Sequence, residues 1–233
     1  MENQDLDFIF NNNSNRAELN VLVACERSGT VRDEFLNLGF NAYSCDLAPD
    51  MNGNTERHFQ CDARILLDKR WDLLVVAHPP CTRLCGSGVW ALTSKKKQVK
   101  GRGRLDLWCD FYEAVDLFSS FLNCEIPRIA IENPVMHGHA KEAIPNYREF
   151  SQTVQPWQFG DNESKRTCFW LKGLPNLVPE VTVKPANVQQ TIHKMGPSKD
   201  RGIQRSMFFQ GMARAIAKQW GEYSEQQLQQ EAA

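Results

Sequence analysis

The sequence lacks the features that would place the chain in a membrane, at a structural zinc site or in an oxidising compartment. No apolar run reaches the roughly 18 residues that span a bilayer. The first twenty residues show no basic stretch followed by an apolar core, so we expect no secretory signal. The eight cysteines contain no Cys-x-x-Cys pair. We therefore expect free thiols, no metal and a cytoplasmic location, although Cys81 and Cys85, near His78, have a spacing that a metal could use.

The sequence also lacks a large excess of charge of either sign. Its net charge of -1 excludes a polycation that binds nucleic acid along its whole length. The charge is uneven, however, because residues 93–104 hold six basic side chains and no acidic one. Both a solvated loop and a phosphate-binding loop fit this run. Its basic residues are Lys95, Lys96, Lys97, Lys100, Arg102 and Arg104.

Short apolar runs alternate with amphipathic segments along most of the chain. This alternation predicts an α/β fold with a mainly parallel, doubly wound sheet. We expect a flexible arm at 1–18, a single domain at 19–221 and a polar tail at 222–233. The predicted strands are NVLVACE, NAYSCDLAPD, DLLVVAH, PRIAIENP, SQTVQPWQF and RTCFWLKG, and HFQCDAR is a short strand or a turn. The predicted helices are SGTVRDEFLNLGF, DARILLDKRW, LDLWCDFYEAVDLFSSFLN and SMFFQGMARAIAKQW.

Two helices carry local signals. Thr30 and Asp33 have the spacing of a capping box at the start of the first helix. The third helix carries one apolar stripe, which we expect to face the core rather than to form an aromatic binding surface. The stripe consists of Trp108, Phe111, Tyr112, Val115, Phe118 and Leu122.

Polar and reactive residues follow several of the predicted strands. In parallel sheets of this kind, ligands bind beyond the carboxyl ends of the strands. The candidates are therefore expected to line one edge of the sheet. They are residues 26–29, Asp46, Asp62, residues 79–81 and residues 132–134.

The turn ACERSG joins the first strand to the first helix. A helix N-terminus after a turn of small residues can hold a negatively polarised group, but a single glycine does not make a dinucleotide fingerprint. Asp46 could grip a ribose diol or cap a turn. Asp62 could likewise cap the segment that follows it.

Cys81 comes directly after a strand and two prolines. Nearby backbone N–H groups of a following helix or turn would favour its thiolate, which suits a nucleophile. Glu132, at the end of an apolar strand, would be its acid or base partner, and burial would favour the protonated carboxyl. A small buried hydrophobe is an equally good interpretation of Cys81 from the residues alone.

Taken together, these motifs resemble the cytosine-5 DNA methyltransferases. The similarity is greatest to the short phage-type proteins described as DNA cytosine methyltransferases, and it runs from about Val21 to Trp220. Proline-proline-cysteine followed by Glu-Asn about fifty residues later is the most specific part. The segments that carry the resemblance are AHPPCTRLCGSGVW, IAIENPVMHGHA, QPWQFG, KRTCFWLKGLP and FFQGMARAIAKQW.

The resemblance implies a catalytic role for five residues. Cys81 would attack C6 of a cytosine, Glu132 would protonate N3 or hydrogen-bond to it, and C5 would then take the methyl group of S-adenosylmethionine. Pro80 would shape the loop, Asn133 would hold it, and Arg166 would contact the base and Cys81. The target base in duplex DNA must leave the stack, and the basic loop would close over it.

The resemblance also implies a set of cofactor-binding residues for S-adenosylmethionine. Residues 26–29 would lie against the methionine part, Asp46 against the ribose and Asp62 against the adenine. The full set is Cys25, Glu26, Ser28, Gly29, Asp46, Leu47, Asp62, Ala63 and Pro79.

The sequence departs from the family where DNA is read. Only about 30 residues, starting at Gly173, separate the motif that contains Arg166 from the last helix, where the family inserts a target-recognition domain. We therefore expect little intrinsic sequence readout, or a partner protein that supplies it. Two alternatives stay open: a non-catalytic anti-restriction or regulatory module, and modification of RNA or a free pyrimidine nucleotide. If the chain is encoded by a phage, the expected location is the bacterial host cell.

Overall fold

The computed structural model describes residues 19–94, 98–99, 101–196 and 207–231, and these form one central sheet of seven strands. The predicted arm at 1–18 lies outside the described residues. The strands of this sheet are β1 (Asn20–Ala24), β2 (Asn41–Asp46), β3 (His58–Gln60), β4 (Leu73–Val76), β7 (Arg128–Asn133), β8 (Gln152–Val154) and β9 (Thr167–Lys172), and a separate ribbon pairs β5 (Gln98–Val99) with β6 (Arg102–Gly103).

The helices are α1 (Thr30–Asn37), α2 (Gly86–Thr93), α3 (Arg104–Asn123), α4 (Gly138–Ala143), α5 (Thr191–Lys194) and α6 (Gln210–Glu231). Two 3₁₀ helices cover Ala63–Leu66 and Pro156–Phe159. The sequence patterns did not predict α2, α4 or α5. The proline in QPWQF ends its predicted strand early, at Val154, and starts the second 3₁₀ helix.

The sheet order is β3-β2-β1-β4-β7-β9-β8, and its first five strands run parallel. β9 is the one reversed strand, antiparallel to both β7 and β8. The start of β9 therefore lies at the edge where β7 ends, with Cys168 opposite Asn133. The predicted α/β fold with a mainly parallel, doubly wound sheet is confirmed.

Both faces of the sheet are covered, which explains the continuous apolar runs of the central strands. Val21 and Val23 of β1 face a core layer that includes residues of α1 and α6, such as Trp220. Leu22 and Ala24 face the opposite layer, to which α3 contributes much of its apolar side. The period of two along β1 thus divides its side chains between two cores.

The polar segment 222–233 differs from the tail that we expected. Helix α6 continues without a break to Glu231. The extension is fastened, because Glu231 forms an ion pair of 2.6 Å with buried Arg128, Ser224 is fully buried and Leu228 packs against the core. Such anchors hold a polar sequence in a helix that its composition alone does not specify.

The apolar stripe of α3 is buried only in part. Phe111, Val115, Phe118 and Leu122 are buried, as expected. Trp108 is half-buried, and Tyr112 is 60% exposed. Tyr112 therefore does not belong to the core, and the prediction was wrong for this residue. Of the helices in the described ranges, none has the length and apolar character needed to cross a bilayer.

Candidate active site

One edge of the sheet collects the ends of five parallel strands and the start of β9. A cavity of about 550 Å³ opens at this edge, a size suited to a small-molecule ligand. Of the candidate residues, seven line it: Cys25, Asp46, Leu47, Asp62, Ala63, Pro80 and Arg102. His78 and Arg83, which the sequence did not single out as site residues, line it too.

Cys81 lies just beyond β4, where its carbonyl oxygen accepts hydrogen bonds of 3.0 Å from the N–H groups of Leu84 and Cys85. A hydrogen bond with the Cys85 thiol raises the pKa of Cys81, and burial raises it further. The expectation that local N–H groups favour the thiolate was therefore wrong for this structure. The neighbouring thiol and the low polarity around Cys81 outweigh them.

The turn after Cys81 is held by His137, which the sequence analysis did not identify. The His137 backbone N–H donates to the carbonyl oxygen of Leu84 at 3.0 Å. Its ring Nε2 lies 2.7 Å from the carbonyl oxygen of Arg83, while Nδ1 accepts a bond from the N–H of Ala140. Because a carbonyl only accepts, Nε2 must carry the proton.

Helix α2 packs tightly against the same turn. A Cβ atom on Gly88 would lie 1.5 Å from the carbonyl oxygen of Thr82. Glycine is therefore required at this position. Gly88, the second glycine of the GSG motif, thus serves close packing against the turn that follows Cys81.

Glu132 is the penultimate residue of β7 and is 5% exposed. Burial raises the pKa of this carboxyl, as the sequence predicted. Lys165 Nζ lies 3.8 Å from Glu132 Oε1 and partly offsets that rise. The Lys165 charge also lowers the pKa of Cys81 and of His78, so one ammonium acts on three groups of this edge.

The cation beside Glu132 is Lys165, which the sequence did not identify, whereas Arg166 was expected to contact the base and Cys81. Arg166 is exposed, and it hydrogen-bonds with Cys168 rather than with Cys81. Neighbouring residues that lead into an extended strand point to opposite sides. The SKR sequence could not indicate which of its two cations faces inward.

Asn133, the last residue of β7, is fully buried. Neither its Nδ2 nor its Oδ1 has a hydrogen-bond partner among the described residues. In this structure Asn133 therefore does not hold the Pro-Pro-Cys loop, contrary to expectation. Pro80 of that loop is exposed toward the cavity, whereas Pro79 is buried.

The buried carboxylate of Glu26 caps the N-terminus of α1. Its carboxylate accepts hydrogen bonds from the N–H groups of Val31 at 2.7 Å and Arg32 at 3.1 Å. Burial raises the pKa of Glu26 to about 7, against the lowering effect of these two bonds. Thr30, assigned to the capping box, is instead the first helical residue, and Gly29 precedes the helix with a φ of 72°.

Asp46 and Asp62 both line the large cavity. Asp46 Oδ1 accepts a hydrogen bond of 2.9 Å from the N–H of Ala48, which forms a turn. Asp62 caps the 3₁₀ helix that follows it, as one interpretation predicted, and forms an ion pair of 2.6 Å with Arg64. Hydrogen bonds from Arg64 lower the pKa of Asp62.

A second cavity of about 80 Å³ adjoins the first, since Cys25, Asp46 and His78 line both. Its other lining residues are Arg27, Ser28, Met51 and Met207. Cys25 has a φ of 57°, an uncommon backbone conformation for a residue with a side chain. Burial, followed by the charges of Asp46 and Asp62, raises the pKa of the Cys25 thiol.

The described part of the basic loop is fixed by hydrogen bonds. Arg102 forms a bidentate pair with Asp110 of α3 at 2.8 and 2.9 Å, and Arg83 reaches the same carboxylate at 3.4 Å. Arg104 donates to the carbonyl oxygen of Ser94 at 2.8 Å. The predicted nucleic-acid residues Lys95, Lys96, Lys97 and Lys100 lie outside the described residues.

In the part of the chain that the structure describes, no three His, Cys, Asp or Glu side chains are grouped to hold a metal ion. Cys81 and Cys85 are both free thiols.

No model of a known protein family matches the chain, and no curated protein matches it. Solved structures do match. The Dnmt2 methyltransferase of S. pombe is 15% identical, with a TM-score of 0.42 over 78% of this chain and 62% of the other. The Entamoeba histolytica methyltransferase EhMeth is 12% identical, with a TM-score of 0.44 over 77% and 60%.

An E. coli prophage protein, described provisionally as a DNA modification methyltransferase, is 16% identical, with a TM-score of 0.43 over 78% of this chain and 56% of the other. The chain thus spans about 60% of the length of these three proteins.

Proposed function

We propose that this chain is an S-adenosylmethionine-dependent DNA (cytosine-5) methyltransferase that acts through a covalent bond from Cys81. The observation that carries the proposal is the meeting of Cys81, buried Glu132 and Lys165 at the sheet edge that holds the large cavity. A cysteine nucleophile, a buried acid and a cation are the groups that attack on a protonated pyrimidine requires. The resemblance of the motifs around Cys81 and Glu132 supports the same reaction.

The chain's residues would activate cytosine in the following way. Cys81 gives its thiol proton to water and Sγ forms a bond to C6, while the C5–C6 electron pair moves to C4–C5 and the C4–N3 pair takes a proton from Glu132 at N3. After the methyl group has been added at C5, loss of the C5 proton to water restores the C5–C6 double bond. Cys81 leaves as a thiolate that takes up a proton from water, and N3 returns its proton to Glu132. Burial raises the pKa of Glu132 and so favours the protonated carboxyl, which is the form that would give a proton to N3.

The cavity fits an adenosine-containing cofactor. Asp46 and Asp62 place carboxylates after adjacent strands, and the buried Nε2 of His78 in the cavity wall lacks a partner among the described residues. Bound S-adenosylmethionine would supply the methyl group. Asp46 would bind the ribose, and Asp62 with Ala63 the adenine; Glu26 would contribute through its backbone, because its carboxylate caps α1.

The DNA target would be a cytosine flipped out of the duplex. Arg102 and Arg104 lie on and after the β6 strand of the basic loop, which would contact phosphates. The segment between β9 and α5 contains no described helix or strand that could read the major groove. We therefore propose little intrinsic sequence readout, or readout by a partner protein.

One observation favours a non-catalytic role on the same scaffold. The hydrogen bond with Cys85 and burial raise the pKa of Cys81 and favour its thiol form, and a thiol is a weak nucleophile. A module that binds DNA or cofactor without chemistry would need no deprotonation of Cys81.

Transfer of a labelled methyl group separates these roles. The protein is incubated with labelled S-adenosylmethionine and with duplex DNA, RNA or dCMP, beside Cys81→Ser and the matched Cys85→Ser. We expect label on DNA, loss of transfer in Cys81→Ser, and a covalent complex with DNA that carries 5-fluorocytosine. Label on none of the three substrates would reject the enzyme, and transfer that survives Cys81→Ser would reject the covalent route.

A further inference from the structure

Two side chains that line the small cavity of about 80 Å³ each carry a buried nitrogen atom that lacks a partner among the described residues. These are Nε of Arg27 and Nε2 of His78, and both side chains line the cavity. Buried polar nitrogen atoms are rarely left unpaired in proteins. Their presence in one cavity wall indicates a ligand group that accepts hydrogen bonds there.

The N-terminus of α1 is closed to that ligand group. Glu26 already accepts the N–H groups of Val31 and Arg32, the Ser28 hydroxyl lies 3.4 Å from the N–H of Thr30, and the N–H of Asp33 donates to the carbonyl oxygen of Gly29. A helix N-terminus would ordinarily be the place for a ligand carboxylate after β1. Here the Glu26 carboxylate occupies the N-terminus of α1, so a ligand carboxylate needs a cationic side chain elsewhere.

Arg27, which lines the small cavity, could supply that charge. Its carbonyl oxygen accepts a hydrogen bond of 2.8 Å from the N–H of Met51, and the neighbouring Ser28 carbonyl accepts one from Asn52 Nδ2. The segment that contains these partners is fixed in turn by the buried ion pair of 2.7 Å between Arg32 and Asp50. The backbone that carries the Arg27 guanidinium is thus held in place before any ligand arrives.

His78 stands at the junction of the two cavities and packs against Phe208, with ring centroids 5.2 Å apart. Burial, with the Lys165 charge, holds the pKa of His78 well below its ordinary value, so its ring is neutral. A neutral imidazole can offer one N–H without adding charge. With the proton on Nε2, His78 would add a neutral donor to the cavity that Arg27 also lines.

We propose that Arg27, assisted by His78, binds the α-carboxylate of the amino-acid end of the ligand whose nucleoside part fills the large cavity. The inference rests on the proposed function, because it takes that ligand to be S-adenosylmethionine or its product. The size of the small cavity suits a carboxylate with its α-carbon rather than a nucleotide. Arg27 is then a positioning residue that sets where the transferable methyl group lies.

Two ligands that differ in the amino-acid end test this assignment by calorimetry. S-adenosylhomocysteine carries the carboxylate, and 5′-methylthioadenosine lacks the whole amino-acid end. In Arg27→Gln we expect the dissociation constant of S-adenosylhomocysteine to rise about ten- to a hundredfold, as for loss of a charge-assisted hydrogen bond. That of 5′-methylthioadenosine should stay within about twofold, which also reports that the variant is folded.

Further variants separate binding from packing. Arg27→Lys should recover part of the lost affinity, and the exposed Arg70→Gln serves as the matched control that leaves both ligands unaffected. His78→Phe keeps a ring against Phe208 but removes the donor. The dissociation constant of S-adenosylhomocysteine should therefore rise by a factor at least three times that for 5′-methylthioadenosine.

The outcomes distinguish the two proposals. Both ligands could bind the unaltered protein while Arg27→Gln weakens the binding of both equally, or weakens only the binding of DNA. The carboxylate site would then be wrong, while the proposed function would stand. If neither ligand binds the unaltered protein, both proposals fall.

Discussion

Glu26 and Glu132 are buried carboxyl groups at the same edge of one sheet, yet their surroundings differ. Glu26 follows β1 and accepts two backbone N–H groups of α1. Glu132, near the end of β7, has Lys165 Nζ at 3.8 Å from its Oε1. Burial raises the pKa of both carboxyl groups. The comparison shows that burial alone does not mark a catalytic acid, because the same shift occurs at a carboxyl that caps a helix.

The largest difference should appear in catalysis. Glu132→Gln removes the proton donor without changing size, so methyl transfer to cytosine should fall about 10²- to 10⁴-fold, measured with labelled S-adenosylmethionine. Glu26→Gln, the same substitution at the capped site, should keep transfer within about fivefold once folded protein is compared. Equal losses in the two variants would erase the distinction.

For stability the order should be reversed, with the larger loss on substitution of Glu26. Glu26→Ala leaves the buried N–H groups of Val31 and Arg32 without an acceptor, at a cost of about 2–4 kcal/mol in the free energy of unfolding. Glu132→Ala leaves the N–H groups of α1 paired with Glu26 and should cost less. Urea denaturation at pH 7 measures both. A larger loss in Glu132→Ala would show that Glu26 is not the structural member of the pair.

The pH dependence of stability sharpens the contrast. Glu26 has a pKa of about 7 in the folded protein, above its ordinary value of 4.5, so the folded state holds this proton more tightly. The resulting stabilisation is full below pH 4.5 and is lost as the pH rises through about 7. Relative to Glu26→Gln, the free energy of unfolding should fall by about 3 kcal/mol across this interval, at roughly 1.4 kcal/mol per pKa unit.

Urea titrations at several pH values test the sign of this change. Glu132 also has a raised pKa, so the comparison is repeated in a Glu132→Gln background to isolate Glu26. If the free energy of unfolding of the unaltered protein, relative to that of Glu26→Gln, rose with pH, the assignment would be contradicted.

The smallest effect should come from the cation beside Glu132. Lys165→Met removes a charge that lowers the pKa of this carboxyl, so the pKa should rise further. The alkaline limb of the pH–rate profile, where Glu132 loses its proton, should then move to higher pH, with a change in rate of about tenfold or less. Arg166→Met, at the exposed neighbouring position, is the control, and an equal shift in both variants would contradict a specific role for Lys165.

The sequence predicts which strand ends form the site better than it predicts which side chains face into the site. The apolar runs before Cys25, Asp46, Cys81 and Glu132 identify parallel strands, and parallel strands bring their carboxyl ends to one edge. This argument needs only the period and the order of elements. It therefore predicts correctly that the cavity contains residues following β1, β2, β3 and β4.

The missed features depend on contacts across the fold. The choice between Lys165 and Arg166 follows from the register of the reversed strand β9 against β7, and a shift of one residue would exchange them. The cap of α1 by Glu26 requires a side chain from outside the helix, which a search for local capping spacing does not consider. The length of α6 depends on Arg128, about a hundred residues away.

The reversal of β9 has a consequence for engineering this protein. The chain leaves β9 at Lys172, opposite Ile129 near the start of β7, and returns to the opposite edge by Gln189, which bridges to Glu163. Between these points residues 182–187 are all exposed and belong to no helix or strand. Exposed loops of this kind accept inserted sequence most readily. A DNA-reading module grafted there would be carried on a surface connection, and none of the seven sheet strands would have to be cut.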